Sequence, residues 1–166
     1  MTQTNYQLTI ESVRGEMKRD GKTDQIEVRS FEFGVEVARD GASGQASQRR
    51  RYTDVTFTKL VDRSSPSIQQ LLATNGKIKK ATLTVEKAGD KDADGKPLIY
   101  YRLILSDAYI SSYKICGEEL DDEFGTIPRD EFSINFRKID VEYTEQHRSG
   151  GGTGAVTFSD ELDSNR

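Results

Sequence analysis

Apolar residues occupy every second position in several short stretches of the chain. The clearest cases are YQLTI at 6–10 and ATLTV at 81–85, where polar residues fill the positions between. Side chains of a strand point alternately to its two faces, so this spacing predicts strands with one buried face.

Two longer segments move their apolar residues from one face to the other. The apolar positions change parity between Val28 and Phe31 in 24–38, and between Phe136 and Ile139 in 130–144. Such a change requires a β-bulge or a strand that leaves one sheet and joins another. Either segment would be roughly 45 Å long if straight. We therefore expect both to bend around a corner, as in a closed barrel or a strongly bent two-sheet sandwich.

The segment 98–105 is apolar on both faces, with Arg102 as its one interruption. A strand of this kind is usually covered on both sides. Two covers are possible, namely the helix of the same chain or a second subunit.

Residues 66–75 carry the signals of one short helix. Ser65 is a suitable N-cap and Pro66 a suitable first helical residue. The apolar stripe of this helix consists of Ile68, Leu71 and Leu72. Gly76 is expected to end the helix in the left-handed conformation. One helix among about seven strands predicts an all-β fold.

Two segments are too polar to belong to the core. Residues 38–51 form a long insertion between two strong strands, where we expect an extended loop. Residues 147–166 begin with a glycine-rich composition typical of flexible linkers and end in an acidic segment. We therefore predict one domain at 1–146 and a flexible tail at 147–166.

The composition limits the classes of function. A net charge of −4 argues against general nucleic-acid binding, and the only local basic run is Arg49–Arg51. No apolar run approaches the roughly 18 to 20 residues of a membrane span, and the N-terminus lacks the segments of a cleavable signal. The one cysteine, Cys116, excludes an internal disulfide framework.

Candidate catalytic and metal-binding residues are few. The acidic run that begins at Asp90 resembles the start of a calcium loop, but Tyr101 stands where a bidentate glutamate is required, so a turn between strands is favoured. His147 is the only histidine, and Cys116 has no histidine near it in sequence. Because no nucleophile, base and orienting group come together, we predict no enzyme activity, no metal and no cofactor.

Several separate blocks resemble one protein family. The main block is FTKLVDRSSPSIQQLLATNGKIKKATLTVEKAG at 57–89, flanked by IEVRSFEFGV at 26–35 and SINFRKIDVEYT at 133–144. This order and spacing are similar to those of the Hcp proteins, the haemolysin-coregulated tube proteins of bacterial type VI secretion. The resemblance covers about residues 6–145 and leaves the tail without a counterpart.

The resemblance implies a two-sheet β-barrel with one helix at its side and a homohexameric ring with a wide channel. Such rings stack into a tube inside a contractile sheath, and contraction expels the tube with its spike protein and effector proteins. The chain would then be made in the cytoplasm and secreted through type VI secretion without a cleaved signal. A ring that acts chiefly as an effector carrier is the alternative, and a monomeric ligand-binding barrel is a further possibility.

The resemblance also suggests roles for particular residues. The loop 38–51 would reach an adjacent ring, with an acidic partner such as Asp121–Glu123. The residues expected to act in this stacking loop are Arg39, Asp40, Arg49, Arg50 and Arg51. The residues expected at the contact between subunits are Leu98, Tyr100, Tyr101, Leu103 and Lys59.

Lys59 is the charged member of an apolar stripe in VTFTKLVDRSSP at 55–66. Its stem can lie along apolar neighbours while its ammonium reaches a carboxylate or the water-filled side of a ring. We interpret this stretch as part of the framework and assembly of the protein rather than as a catalytic site.

Overall fold

The described residues form a mainly β structure with one short helix, which confirms the predicted class. The structure is a computed structural model and describes residues 4–19, 22–91, 95, 97–117, 127–144 and 154–162. The strands are β1 (Thr4–Ile10), β2 (Met17–Arg19), β3 (Lys22–Val28), β4 (Ser30–Glu32), β5 (Val35–Glu36), β6 (Arg51–Tyr52), β7 (Val55–Leu60), β8 (Ile78–Lys91), β9 (Pro97–Cys116), β10 (Arg129–Asn135), β11 (Lys138–Thr144) and β12 (Ala155–Glu161). The helix α1 spans Ser64–Ala73.

Most strands belong to one antiparallel sheet with the order β2-β3-β1-β8-β9-β10-β7-β4. β11 pairs with both β9 and β12, whereas β5 and β6 form a separate two-stranded sheet. The predicted barrel is not closed, because no described ladder joins β4 to β2 at the two ends of this order.

Near Arg29, the apolar residues change face because the chain leaves one strand partner and joins another. This is the second of the two predicted explanations, a bulge being the first. β3 pairs with β1, whereas β4 pairs with β7. Between them, the Arg29 amide donates to the Thr58 carbonyl at 2.8 Å. In the strand order, β3 lies next to one end and β4 lies at the other. Because these two strands are consecutive in sequence, the sheet must curl so that its two ends approach each other.

The second change of face separates β10 from β11. β10 pairs with β7 and with the second half of β9, whereas β11 pairs with the first half of β9 and with β12. Between the two halves of β9, Asp107 has a φ of 50°, a left-handed conformation that bends the long strand. The predicted change of pairing is confirmed at both segments.

The core lies on the concave face of the sheet. Its most buried large residues include Leu8, Phe57, Leu83, Leu103 and Phe132. Phe57 and Phe132 stack with their ring centroids 5.3 Å apart. The helix packs against β9 and inserts Ile68 into this core.

The helix begins two residues before the predicted start, and the prediction of Ser65 as N-cap was wrong. The N-cap position is Arg63, whose side chain makes no capping bond. Instead, the Asp62 carboxylate accepts the Ser64 amide at 2.8 Å, and the Ser65 hydroxyl turns into the protein. Pro66 then falls within the first turn, where a missing N–H removes no intrahelical bond.

The helix ends at Ala73, and the left-handed residue that follows it is Asn75 rather than the predicted Gly76. Asn75 has a φ of 52°, while the Gly76 amide donates to the Leu71 carbonyl at 2.8 Å. Asparagine tolerates the left-handed conformation better than other residues with a side chain, so it can serve this position.

The predicted extended loop is a hydrogen-bonded hairpin, which we call the arm (35–52). Its base is the ladder that pairs Val35 with Tyr52 and Glu36 with Arg51. Further out, the Asp40 amide donates to the Gln45 carbonyl at 2.8 Å. Apart from the partly covered side chains at 37 and 52, the arm is exposed.

The part of the predicted flexible tail that the structure describes is mainly a strand. β12 pairs with β11 along its whole length, from Ala155 opposite Thr144 to Glu161 opposite Lys138. Val156 and Phe158 alternate with polar residues, and this short alternation is the strand signal that the glycine-rich start of the tail concealed.

Gly15 provides a direct test of this packing. A Cβ atom at Gly15 would overlap the backbone carbonyl of Gln25 in β3. We expect Gly15→Ala to lower the free energy of unfolding by about 2–4 kcal/mol, because the backbone of β3 must move to make room for the methyl group. Gly41→Ala is the matched control, since a Cβ atom there meets nothing within 4 Å. Equal midpoints of urea unfolding for the two variants would contradict this packing.

Candidate functional site

A buried ion pair lies between β7, β10 and the start of the helix. Lys59 and Asp130 both have side chains with no exposed surface, and the Lys59 ammonium lies 2.9 Å from Asp130 Oδ2. The ammonium also donates to Ser65 Oγ at 2.8 Å and to Asp62 Oδ1 at 3.1 Å. We call Lys59, Asp62, Ser65, Tyr113 and Asp130 the lysine cluster.

Asp130 is the acceptor at the centre of the lysine cluster. Its Oδ2 atom accepts from the Ser65 hydroxyl at 2.6 Å and from the Tyr113 hydroxyl at 3.0 Å. Burial, together with the negative charge of Asp130, raises the pKa of Tyr113, which keeps this hydroxyl a donor. The cluster therefore ties strands β7, β9 and β10 to the first turn of the helix.

The charges of the lysine cluster are paired, but one of its polar atoms is not. Charge-assisted hydrogen bonds to Asp130 Oδ2 offset part of the cost of burying the ammonium and the carboxylate. Asp130 Oδ1 is buried with no hydrogen-bond partner in the part of the chain that the structure describes. Among the described residues, no three His, Cys, Asp or Glu side chains converge to hold a metal ion. No helix in the described ranges is long and apolar enough to cross a membrane. Cys116 is exposed, and His147 lies outside the described residues.

A second polar group, which we call the arm clamp, joins the arm to β12. Arg50 donates to both carboxylate oxygens of Asp160, from Nε at 2.5 Å and from Nη2 at 2.6 Å. The Tyr52 hydroxyl donates to Asp160 Oδ2 at 2.8 Å, and its ring packs edge-on against Phe136. Arg50 Nη2 also reaches the Glu161 carbonyl at 3.2 Å.

The charges of the arm clamp reinforce one another. The hydrogen bonds from Arg50 hold the pKa of Asp160 below its ordinary value, and the Tyr52 hydroxyl acts in the same direction. Because the pKa of Asp160 is lowered in the folded state, the clamp stabilises the fold at pH values above the ordinary pKa of an aspartate. That contribution is lost as the pH falls through the lowered pKa.

A third feature is an apolar surface, which we call the β12 patch (Tyr143, Val156 and Phe158). The three side chains are 45%, 71% and 53% exposed. Phe158 is the last member of a row of apolar side chains on one face of the sheet, in which each residue lies opposite the next on the neighbouring strand. The buried members of this row are Leu8, Leu83 and Leu103, and Val141 lies between them and Phe158. The core-facing side of the sheet thus extends beyond the part that this chain covers.

The structure separates the residues predicted for assembly into two groups. Arg39, Asp40, Arg49 and Arg51 lie on the exposed arm, whereas Arg50 is bound to Asp160 of the same chain. The suggested acidic partners Asp121–Glu123 lie outside the described residues.

The residues predicted at the contact between subunits differ in burial. Leu98, Tyr100 and Tyr101 are half-buried, but Leu103 and Lys59 are core residues with no exposed surface. Leu103 lies in a row of leucines, and Lys59 faces Asp130, so neither side chain is accessible to another subunit in this structure. The β12 patch was not among the residues predicted for assembly, although Val156 and Phe158 alternate with polar residues in the sequence.

Comparisons with known proteins agree with the fold. The family model for the type VI secretion system effector Hcp matches residues 7–143. The Major exported protein of Pseudomonas aeruginosa is 30% identical over 100 residues, which is 60% of this chain and 56% of that protein's length. Protein hcp1 of the same species is 26% identical over 150 residues, covering 89% of this chain and 87% of that protein.

A solved structure shows the same architecture. The crystal structure of Hcp1 from Salmonella typhimurium superimposes with a TM-score of 0.74 at 22% identity, covering 98% of this chain and 96% of that one. At this identity the likeness concerns the fold.

Removal of one member of the lysine cluster tests its role. Lys59→Met would leave the Asp130 carboxylate buried without its cation, so we expect a loss of about 3–5 kcal/mol in the free energy of unfolding. The double variant Lys59→Met/Asp130→Asn should lose less, because no unpaired charge remains. Lys77→Met is the control, since its ion pair with Asp107 is more than half exposed and exposed pairs contribute about 1 kcal/mol or less. Urea unfolding measures all three, and similar losses for Lys59→Met and Lys77→Met would contradict the proposed role.

Proposed function

The chain belongs to the Hcp family of the type VI secretion system, and from this premise we propose that it is the structural subunit of a secretion tube. In this proposal six copies form a ring, rings stack into a tube, and contraction of a surrounding sheath expels the tube. The role is mechanical and includes no chemical reaction. Its partners are further copies of the chain, the spike protein, the sheath and the exported effectors.

The observation that carries this proposal is the β12 patch. Val156 and Phe158 stand on a strand at the edge of the sheet, and edge strands with exposed apolar side chains readily pair with other chains. A second copy of the chain that covers this face would complete the core rows ending at Val156 and Phe158. A closed ring requires such a head-to-tail contact, in which one surface meets a different surface of the next copy.

Leu98 and Tyr100 on β9 remain candidates for the opposing side of this contact. Both are half-buried in the single chain, so part of each side chain is available to a neighbour. In this proposal, a second subunit covers one face of the segment 98–105, which is apolar on both faces.

The arm suits contacts between rings. Its exposed charges include those of Arg39, Asp40, Arg49 and Arg51. Polar contacts of this kind are sensitive to salt and individually weak. A tube that assembles inside a sheath and separates outside the cell needs contacts that can be reversed, so a charged arm fits this task better than an apolar one.

Export of the chain is part of the proposal. One relative carries the name Major exported protein, which supports the same fate for this chain. We propose that it leaves the cell through type VI secretion without a cleaved signal.

Mass measurement of the purified protein tests the assembly. We expect the native protein to have the mass of six copies of the 18.7 kDa chain and to form six-fold rings in electron micrographs. The double variant Val156→Thr/Phe158→Ser should shift the population to monomers, because it removes the apolar surface that a second copy would cover.

Ile115→Ser is the matched control for this variant. It removes an apolar side chain that is 57% exposed but lies outside the β12 patch, and it should leave the mass unchanged. A monodisperse monomer for the unaltered chain would contradict the proposed function, and rings of unchanged stability in the double variant would contradict the assignment of the contact.

A further inference from the structure

We propose that β12 positions the arm for ring stacking, and that Asp160 is the positioning residue. This inference rests on the proposed function, because it concerns the segment assigned to contacts between rings. It adds a role for a strand that the sequence pattern placed in a flexible tail.

The first support is the difference between the two segments that the arm clamp joins. The ladder between β5 and β6 contains two residue pairs, Val35 with Tyr52 and Glu36 with Arg51. β12 pairs with β11 through seven, and the Leu162 amide adds a bond of 2.6 Å to the Arg137 carbonyl. Hydrogen bonds between Gly34 and Thr53 extend the base of the arm by one residue pair. A second attachment, to the longer ladder of β12, holds the arm in one direction.

The second support is the geometry at Asp160. Its two oxygens accept both bonds of a planar guanidinium from Arg50 and a third bond from the Tyr52 hydroxyl. A bidentate pair fixes the orientation of both partners, whereas a single ion pair fixes only their distance. Arg50 and Tyr52 flank Arg51 in the last strand of the arm, so the clamp sets the direction in which this strand leaves the body.

The third support is the partial burial of the clamp, together with a further attachment of the chain close to the arm. The Asp160 side chain is 15% exposed and that of Arg50 is 46% exposed, so the pair is shielded from water on the Asp160 side only. Just beyond the arm in sequence, Asp54 accepts from Ser111 Oγ at 2.6 Å and from Asn135 Nδ2 at 2.9 Å. The chain is thus fixed to β9 and β10 at Asp54, two residues beyond the arm, and the arm itself is fixed to β12 at Asp160. These two attachments together define the direction of the arm.

This arrangement changes the expected role of the three consecutive arginines. Arg50 serves the attachment of the arm within the chain, which leaves Arg49 and Arg51 for contacts with an adjacent ring. The effect of Asp160 on stacking is therefore indirect and acts through the arm.

Asp160→Asn tests the inference, with Asp140→Asn as the matched control. Both changes remove one carboxylate charge from neighbouring strands, but Asp140 lies near Lys138 on β11 and makes no described bond to the arm. Hydrogen–deuterium exchange of peptides from 35–52 reports on the arm, native mass reports on rings, and electron microscopy reports on tube length.

We expect Asp160→Asn to speed exchange in the arm by about tenfold or more, while peptides from β8 and β9 keep their rates. Rings should persist and tubes should shorten several-fold. Arg50→Gln should give the same changes, and the double variant should add little, because both substitutions remove one contact. Asp140→Asn should resemble the unaltered protein in all three readouts.

Two results would overturn the inference. One is unchanged exchange in the arm of Asp160→Asn, which would show that the clamp does not hold it. The other is faster exchange with tubes of normal length, which would show that the direction of the arm does not matter for stacking. If the unaltered protein forms no stacked rings, the proposed function fails instead, and the exchange rates still decide whether Asp160 holds the arm.

Discussion

The ion pair between Lys59 and Asp130 is the interaction on which the arrangement of the fold depends most. It joins the ends of β7 and β10 beneath the first turn of the helix, where neither charge contacts water. Burial of two charges is costly, and the hydrogen bonds from Ser65 and Tyr113 to the same carboxylate reduce that cost. The bonds of Ser65 to both charges therefore hold the first turn of the helix in its place.

The course of the strands was predictable from sequence because side-chain alternation is a local property. The changes of face after Val28 and after Phe136 correctly located the two points where the chain changes its strand partner. The start of the helix was not predictable to the residue. Ser65 has the right chemistry for an N-cap, but a buried lysine and a buried aspartate compete for its hydroxyl.

The partners within the candidate site could not be predicted, since they depend on contacts between distant segments. Asp130 follows Lys59 by 71 positions, and Asp160 follows Arg50 by 110. No periodicity links such pairs. The sequence pattern left a carboxylate or the water-filled side of a ring as the partner of Lys59 and indicated that the arm has a use. The fold shows which acidic residue binds Lys59 and which binds the arm. The strand β12 was missed because the glycine-rich segment before it dominated the composition of the tail.

The same strand, β12, carries both an uncovered apolar surface and the attachment of the arm. Phe158 and Asp160 are two residues apart and point to the same face, since they oppose Val141 and Ile139 on β11. In the proposed tube, contact within a ring and contact between rings would thus depend on neighbouring side chains. With 34% apolar residues, the chain has a limited core of its own, and cover from a neighbouring copy would extend it.

An electron cryo-microscopy reconstruction of the assembled protein is the most direct test of the proposed tube. We expect a ring in which a neighbouring copy buries Val156 and Phe158, while Arg50 remains bound to Asp160 of its own chain and the arm touches the next ring. A ring that leaves Val156 and Phe158 exposed to solvent, or an arm that contacts no adjacent ring, would contradict it.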